Sequence, residues 1–146
     1  MTDASETVPD EPDLGALMAR VLPRLAALEG PILSAAGLSM WEYAIMTEVA
    51  SSAAVSQREL SRRTRRDPTR LGQHLDDLVA RGLISRRRSR DQRQRTVCIT
   101  PSGSALLTEV RLSIRAMEDE LLHTTFSATD ATNLRHLLAR LAKACE

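Results

Sequence analysis

Apolar residues recur at helical spacing along most of the chain, and the pattern predicts long helical segments at both ends. Near the N-terminus the apolar positions advance in alternating steps of four and three residues: Leu14, Met18, Val21, Leu25, Leu28 and Ile32. The same spacing follows Pro101, first with Leu107, Val110, Ile114, Met117 and Leu121, and then with Leu134, Leu138, Leu141 and Cys145. Such stripes are typical of helices that pack along one seam. Spacing alone leaves open whether the partner is the same chain or a second copy.

Two prolines interrupt the first of these stripes. Pro23 lies inside it and predicts a kink or the loss of one backbone hydrogen bond, because proline has no N–H to donate. Pro31 and Gly37 predict that the helix weakens and ends there.

Shorter helices are predicted between the long segments from their start signals. Ser39 with Glu42, and Ser56 with Glu59, have the Ser-x-x-Glu spacing of a capping box. In a capping box each side chain accepts a hydrogen bond from the backbone N–H of the other residue. The two signals predict helices that begin just after positions 39 and 56.

A further helix has the most clearly marked ends. Asp67 suits the N-cap, Pro68 the first helical position and Gly82 the position just after the helix. One face is predicted to be apolar, with Leu71, Leu75, Leu78 and Val79, and the other polar, with Thr69, Arg70, Gln73 and His74. Two short helices joined by a few residues are typical of a helix-turn-helix, in which the second helix reads DNA.

A basic hairpin is predicted after the second short helix. Residues 83–86 begin one strand, and residues 96–100 alternate, with Val97 and Ile99 on the apolar side. The nine residues between these strands contain five arginines and are too charged to be buried. The pattern therefore predicts a two-stranded wing with a basic tip.

Charge is concentrated in this part of the chain. The whole protein carries only +1, but residues 55–96 hold thirteen arginines against five acidic residues, a net +8, and the remainder carries −7. Lys143 is the only lysine, so the basic module is built from arginine, which binds phosphate and guanine bidentately. A charged run alone is often a solvated face. Here it coincides with capped helices and a hairpin, which favours a nucleic-acid partner.

The ordered motifs resemble those of the MarR family of bacterial winged-helix regulators. Arg-Gly-Leu-Ile at 81–84, Asp91-x-Arg93 and Ile-Thr-Pro-Ser-Gly at 99–103 follow the reading helix in the family's order and at family-like spacing. Ile99 stands where the family usually has leucine. The resemblance extends over most of the chain beyond the first dozen residues. It implies a dimer paired through its N- and C-terminal helices, and a small aromatic effector held between those helices and the reading module.

Candidate DNA contacts lie on the reading helix, at the entry to the helix before it, and on the wing. Those for base edges in the major groove are Thr69, Arg70, Gln73 and His74, with a contact to phosphate or water as the alternative for each. The resemblance implies that Arg93 enters the minor groove and that Asp91 orients it. Candidate phosphate contacts are Ser56, Gln57, Arg86, Arg88, Arg90 and Arg95.

Other kinds of site have weaker signals. Met40, Trp41 and Tyr43 lie where the resemblance implies an effector pocket, with ordinary packing as the alternative. Cys98 is expected to be an inert thiol on the strand face opposite Val97. We expect no enzyme, cofactor or metal site, because the sequence has no glycine-rich phosphate loop, nucleophile motif or metal-ligand spacing. It has no apolar run of about 20 residues and no signal pattern, which predicts a soluble, cytoplasmic protein without a membrane partner.

Together these features predict a mainly α protein with a small β-wing: a dimeric winged helix-turn-helix. The predicted divisions are a flexible acidic tail (1–12), an N-terminal dimerisation helix (13–37), the winged helix-turn-helix module (38–100) and C-terminal dimerisation helices (101–146). The predicted function is sequence-specific binding of a pseudo-palindromic site on double-stranded DNA by a homodimer, as a repressor released by a small molecule. Two alternatives stay open: a winged-helix module that binds protein, and a redox-sensing regulator that works through Cys98 or Cys145.

Overall fold

The computed structural model describes residues 10–88 and 95–146, which form six helices and a three-stranded antiparallel sheet. The helices are α1 (Leu14–Ala35), α2 (Met40–Ala50), α3 (Gln57–Thr64), α4 (Pro68–Ala80), α5 (Pro101–His123) and α6 (Ala128–Ala144). The strands are β1 (Val55–Ser56), β2 (Ile84–Arg88) and β3 (Arg95–Ile99), in the order β1-β3-β2. The predicted mainly helical class with a small wing is confirmed. The predictions for residues 1–9 and for Arg90, Asp91 and Arg93 lie outside the described residues.

The ends of the helices follow the local signals in the sequence. The Ser39 hydroxyl accepts from the Glu42 N–H and the Glu42 carboxylate accepts from the Ser39 N–H, both at 3.1 Å, so the first predicted capping box is complete. The Ser56 hydroxyl accepts from the Glu59 N–H at 3.1 Å, but the Glu59 carboxylate binds Arg62 and Arg63 of α3 and not the Ser56 N–H. Gly82 closes α4 with φ +71°, as predicted. The second capping box is therefore only half formed.

Neither proline of α1 ends the helix. Pro23 and Pro31 both lie inside a helix that continues to Ala35. The carbonyls that lose a partner belong to the residues four positions earlier, Ala19 and Ala27, which are exposed, so water can take the place of the missing N–H. The helix ends before Gly37, one of the two residues from which its end was predicted; this glycine has φ +71°, and the Leu38 N–H bonds back to the Leu33 carbonyl at 2.9 Å.

The sheet has one strand more than the predicted hairpin. Val55 pairs with Val97 and Ser56 with Thr96, which adds β1 to the far edge of β3. On the other side of β3 the register runs from Ile84 opposite Ile99 to Arg88 opposite Arg95. A strand of two residues is too short to show the alternation that identifies strands in a sequence. Its pairing partner lies some forty residues away.

The core lies where α2, α3, α4 and α5 meet the sheet. Its fully buried side chains include Ile45, Met46, Val49, Leu60, Leu71, Leu75, Leu78, Ile84 and Val97. The prediction that Val79 shares the buried face of α4 is wrong, since Val79 is 39% exposed. It follows Leu78 by one position, and one step turns the side chain by about 100° around a helix.

The helices at the two ends of the chain differ in how many of their apolar residues are buried. Leu107, Val110 and Ile114 of α5 are buried in the intramolecular core. On α1, by contrast, only Leu33 is buried. The exposed apolar residues of α1 and α6 are Leu14, Leu17, Met18, Val21 and Leu22, and Leu137, Leu138 and Leu141. Among the described residues no single helix is long and apolar enough to cross a membrane; only α1 and α2 taken together, bent by 81°, pass by length and composition.

Candidate nucleic-acid interface

A tight turn joins α3 to α4. Arg65 adopts φ 51°, in the left-handed region that residues other than glycine rarely occupy. The Arg66 N–H bonds to the Ser61 carbonyl at 3.2 Å, and the Ser61 hydroxyl donates to the Arg66 carbonyl at 2.6 Å. These bonds end α3 and fix the direction in which the chain enters α4.

The first turns of α4 expose polar side chains beside a capped N-terminus. The Asp67 carboxylate accepts from the Thr69 N–H at 3.0 Å and from the Arg70 N–H at 3.3 Å. Thr69, Arg70 and Gln73 are exposed, and the Arg70 side chain keeps 68% of its surface accessible although its Nε lies 3.8 Å from Asp67. Three of the four predicted base-reading residues therefore share one accessible surface.

His74, the fourth, lies in a different environment. It is half-buried, and its Nε2 lies 3.2 Å from Nη2 of Arg66. The same Arg66 guanidinium stacks on the Trp41 ring, 4.1 Å from the ring centroid. His74 is thus held within the molecule through a residue that the sequence analysis did not single out.

Part of the positive charge of α3 is balanced within the helix. Glu59 accepts from Arg62 at 2.5 and 3.1 Å and from Arg63 at 3.0 Å. These hydrogen bonds, from Arg62 first and then from Arg63, lower the pKa of the Glu59 carboxyl to about 2. Arg58 and Arg65, in contrast, are exposed and form no ion pair with another described residue. The outward charge near the turn therefore comes mainly from those two.

The wing strands carry exposed arginines at the end nearest the tip. Arg87, Arg88 and Arg95 are exposed, and Arg88 lies directly opposite Arg95 in the ladder. Like charges facing each other across two strands repel, so an anion between them would stabilise this end of the sheet. Arg88 and Arg95 are accessible, as their predicted phosphate contacts require. Arg90, Asp91 and Arg93 lie outside the described residues.

The other candidate phosphate contacts have partners within the chain. Arg86 keeps only 18% of its side chain exposed; its Nη1 lies 2.6 Å from an Asp76 oxygen, and its Nη2 donates to the Gly72 carbonyl at 3.1 Å. It braces β2 against α4, an arrangement different from the exposed phosphate contact that we expected. The Ser56 hydroxyl caps α3, and Oε1 of Gln57 is buried without a hydrogen-bond partner.

Comparison with known proteins identifies the winged-helix module. Residues 36–95 match the sequence profile of the MarR family. These residues are similar to the MarR family. The family consists of winged-helix transcription regulators, and the matched range of this chain runs from α2 through β2 and ends at the first residue of β3. No curated protein matches the chain in sequence.

Solved structures of MarR family members extend the likeness to nearly the whole chain. MarR from Escherichia coli in its apo form has a TM-score of 0.77 at 22% identity, over 90% of this chain and 98% of that one. A MarR family protein from Mycobacterium tuberculosis, in complex with p-aminosalicylic acid, has a TM-score of 0.74 at 25% identity, over 90% and 99%. NadR in complex with 4-hydroxyphenylacetate gives 0.72 at 22%, over 92% and 95%. The terminal helices therefore share the family fold as well.

The three residues predicted to line an effector pocket have different surroundings. Met40 lines a cavity of about 250 Å³ between α1 and α2, Trp41 lies beneath Arg66, and Tyr43 packs against the core. A larger hollow of about 550 Å³ opens between α1 and α5. Its lining is Pro31, Ile32, Ala35, Ala36, Leu106, Glu109, Val110 and Ser113.

The two cysteines are the residues from which a redox switch was considered. Cys98 is half-buried and Cys145 exposed, and both are free thiols. Within residues 10–88 and 95–146, no three His, Cys, Asp or Glu side chains are grouped closely enough to hold a metal ion.

Two contacts that shape this interface have little signal in the sequence. Asp76 and Arg86 lie ten positions apart with opposite charges, on a predicted helix and the strand that follows it, and that signal could have suggested the pair. Arg66 and Trp41 gave no comparable signal. An arginine–aromatic contact between residues so far apart in sequence depends on how α2 packs beside the turn.

Proposed function

We propose that this protein is a homodimeric repressor of the MarR family that binds a pseudo-palindromic site on double-stranded DNA. The observation that carries the proposal is the shape of α4. Its apolar face is fully buried in the core, while Thr69, Arg70 and Gln73 face outward on its first turns. A helix presented in this way can enter the major groove with its N-terminal residues against base edges. Arginine would select guanine and glutamine would select adenine.

The exposed arginines supply the affinity that does not depend on sequence. Arg58, Arg65, Arg87, Arg88 and Arg95 flank α4 on the turn side and on the wing side, where phosphates would pass. Neutralising phosphates releases counterions, so binding should weaken steeply as salt rises. From the wing tip we expect Arg93, oriented by Asp91, to reach the minor groove.

A homodimer fits both the geometry of DNA and the surface of the chain. One reading helix makes few base contacts, whereas a two-fold pair doubles them and fixes the spacing of the two half-sites. The exposed apolar residues of α1 and α6 provide the surface for that pairing. Such a protein works in the cytoplasm, where bacterial DNA lies, and has no catalytic step.

Release by a small aromatic acid is the regulatory part of the proposal. Two structural relatives are described in complex with 4-hydroxyphenylacetate and with p-aminosalicylic acid, both aromatic rings that carry a carboxylate. The hollow between α1 and α5, and the region of Met40, Trp41 and Tyr43, offer apolar contacts for such a ring. A ligand there would alter the spacing of the two reading helices and so weaken DNA binding.

Selection of tight binders from a pool of randomised duplexes tests the function directly. We expect a recovered sequence with two inverted half-sites about one helical turn apart, centre to centre, as a two-fold dimer requires. A variant with Thr69, Arg70 and Gln73 changed to Ala is the matched control, and it should recover no consensus while still binding DNA at low salt. Failure of the wild-type protein to bind duplex DNA at low salt would contradict the proposal and favour a protein-binding module.

A further inference from the structure

Three side chains from separate parts of the fold form a continuous stack beside the reading surface. Trp41 lies on α2, Arg66 in the turn between α3 and α4, and His74 on α4 itself. The Arg66 guanidinium lies over the Trp41 ring at 4.1 Å and its Nη2 lies 3.2 Å from Nε2 of His74. Arg66 is half-buried, and its Nε is buried and has no hydrogen-bond partner among the described residues, so the aromatic face and the imidazole are the principal contacts of the guanidinium.

The contact between Arg66 and His74 fixes the chemistry of the imidazole. A guanidinium has only donors, so the nitrogen that faces it must be an acceptor. In the tautomer that accepts this bond at Nε2, Nδ1 carries the hydrogen and is a donor. A protonated ring would have donors at both nitrogens and would repel the guanidinium at this distance.

The charged groups around His74 leave Arg66 as its principal electrostatic neighbour. On α4, the positions one turn away are Arg70, which lies 3.8 Å from Asp67, and Asp77, which lies 3.7 Å from Arg81. On α2, Glu42 is held by the same Arg81 at 3.1 Å. Among the described residues, only Arg66 makes a hydrogen bond to the ring.

We propose that Arg66 is a positioning residue that holds His74 as a neutral hydrogen-bond donor toward an acceptor atom on the DNA. The inference rests on the proposed function and deepens it, because it assigns a defined polarity to one reading position. A donor at Nδ1 matches guanine O6 or N7, thymine O4 or a phosphate oxygen, and it opposes the amino groups of cytosine and adenine. Trp41 contributes by holding the guanidinium in place, so Arg66 does not act as a phosphate contact.

The first test uses the free protein and needs no DNA. Trp41 is the only tryptophan, so its fluorescence reports on the stack alone. His74→Ala removes the acceptor that Nη2 of Arg66 faces, so it should change the Trp41 emission at neutral pH as the guanidinium moves. His74→Gln keeps an acceptor for Arg66, so it should keep an emission close to that of the wild type. His123→Ala, at the C-terminal end of α5, is the matched control and should behave like the wild type.

Arg66 itself is tested with two variants. Arg66→Ala should shift the Trp41 emission at neutral pH. Arg66→Lys keeps the charge but lacks the planar fork, so it should not restore the wild-type emission. The lysine variant also provides the test if the alanine variant does not fold. Trp41 emission that matches the wild type in the folded variants would overturn the stack.

The second test separates positioning from phosphate binding, using a duplex recovered by selection and a duplex of random sequence. His74→Ala and Arg66→Ala should each weaken binding to the selected duplex by about tenfold relative to the random one. The double variant should lose little more than either single variant, since the two residues act as one unit. Equal losses on both duplexes, or additive losses, would make Arg66 a phosphate contact and overturn the proposal.

The two tests fail independently. If the Trp41 emission changes in the His74 and Arg66 variants but the protein binds no duplex, the proposed function and the DNA role of His74 are wrong and the stack is real. If the protein selects a palindrome but the Trp41 emission does not change in these variants, the proposed function remains and the positioning role of Arg66 is refuted.

Discussion

The absence of a side chain at Gly103 allows the first turn of α5 to pack closely against the backbone of Leu83, just before β2. A Cβ at this position would lie 1.9 Å from the Leu83 carbonyl oxygen and 2.9 Å from its carbon. That carbonyl already accepts from the Thr100 N–H at 3.2 Å, and the Thr100 hydroxyl donates to the Gly82 carbonyl at 2.6 Å. Because the contact is with backbone atoms, the neighbour cannot simply rotate away. Glycine is therefore needed at position 103 because a side chain would not fit there, and not because a turn requires it.

Substitution of Gly103 should destabilise the fold. We expect Gly103→Ala to lower the free energy of unfolding by about 1–3 kcal/mol, as for other insertions of a methyl group into a packed site. The matched control is Gly72→Ala, where nothing lies within 4 Å of the added Cβ. That helical position should gain about 0.5–1 kcal/mol. Urea denaturation at one fixed protein concentration measures both, and a neutral Gly103→Ala would contradict the contact with Leu83.

Reading and positioning arginines should differ in how they discriminate between DNA sequences. Arg70→Ala should weaken binding to the selected duplex, relative to random DNA, by about 1–3 kcal/mol if the side chain bonds to a base edge. Arg88→Ala, on the wing strand, should weaken binding to both duplexes by similar amounts and reduce the salt dependence. Binding titrations at several salt concentrations provide the comparison. Equal losses of affinity for the two duplexes on Arg70→Ala would show that Arg70 contacts the DNA backbone and not a base.

At the scale of one helix, Glu59 of α3 pairs with two arginines of the same helix, and this pairing makes the stability of the protein depend on pH. Hydrogen bonds from Arg62 and then Arg63 lower the pKa of the Glu59 carboxyl from 4.5 to about 2. A carboxyl whose pKa is lower in the folded state contributes stability above its unfolded pKa, and that contribution is lost as the pH falls through the folded pKa. The window for Glu59 therefore runs from about pH 4.5 down to about pH 2. The effect on stability should be small, because the group is exposed and solvent screens it.

Titration of the Glu59 side chain by NMR checks this balance. We expect a midpoint close to 2 in the wild type, and a return toward 4.5 in a double variant with Arg62 and Arg63 changed to Ala. In Glu59→Gln, the loss of stability over the same acidic window should be smaller than in the wild type. An unshifted midpoint in the wild type would show that the arginines of α3 are not held by Glu59 and are available to DNA.

The elements that the sequence predicted well are those defined by nearby residues. The capping box at Ser39, the cap at Asp67 and the terminating glycine at 82 depend on contacts within four positions, so their signals lie side by side in the chain. Partners distant in sequence were missed, as for β1, whose two residues pair with β3. The ion pair of Arg86 with Asp76 was not expected for the same reason, since the charge of Arg86 alone suggested a phosphate contact.

At the scale of the whole molecule, the apolar stripes of the terminal helices divide into two groups. The stripe of α5 is largely used within the chain, since Leu107, Val110 and Ile114 are each less than 5% exposed. The stripes of α1 and α6 are not. Leu14 is 56% exposed and Leu138 44% exposed, and other apolar residues on both helices are also exposed. The sequence pattern was the same in both groups, so only the packing shows which stripe remains available to a second chain.

That uncovered surface leads to a prediction about assembly. Large apolar patches are rare on the surface of a monomer, because water would be ordered around them without compensation. We therefore expect sedimentation of dilute protein to give the mass of two chains. Leu138→Glu together with Leu141→Glu should shift the protein to monomers at the same concentration, since two buried carboxylates would meet the apolar face of the partner. Val79→Glu makes a similar change at an exposed position on the reading helix and should leave the dimer intact. A folded wild-type monomer at micromolar concentration would contradict the pairing, and would leave the reading helix without the two-fold partner that a palindromic site requires.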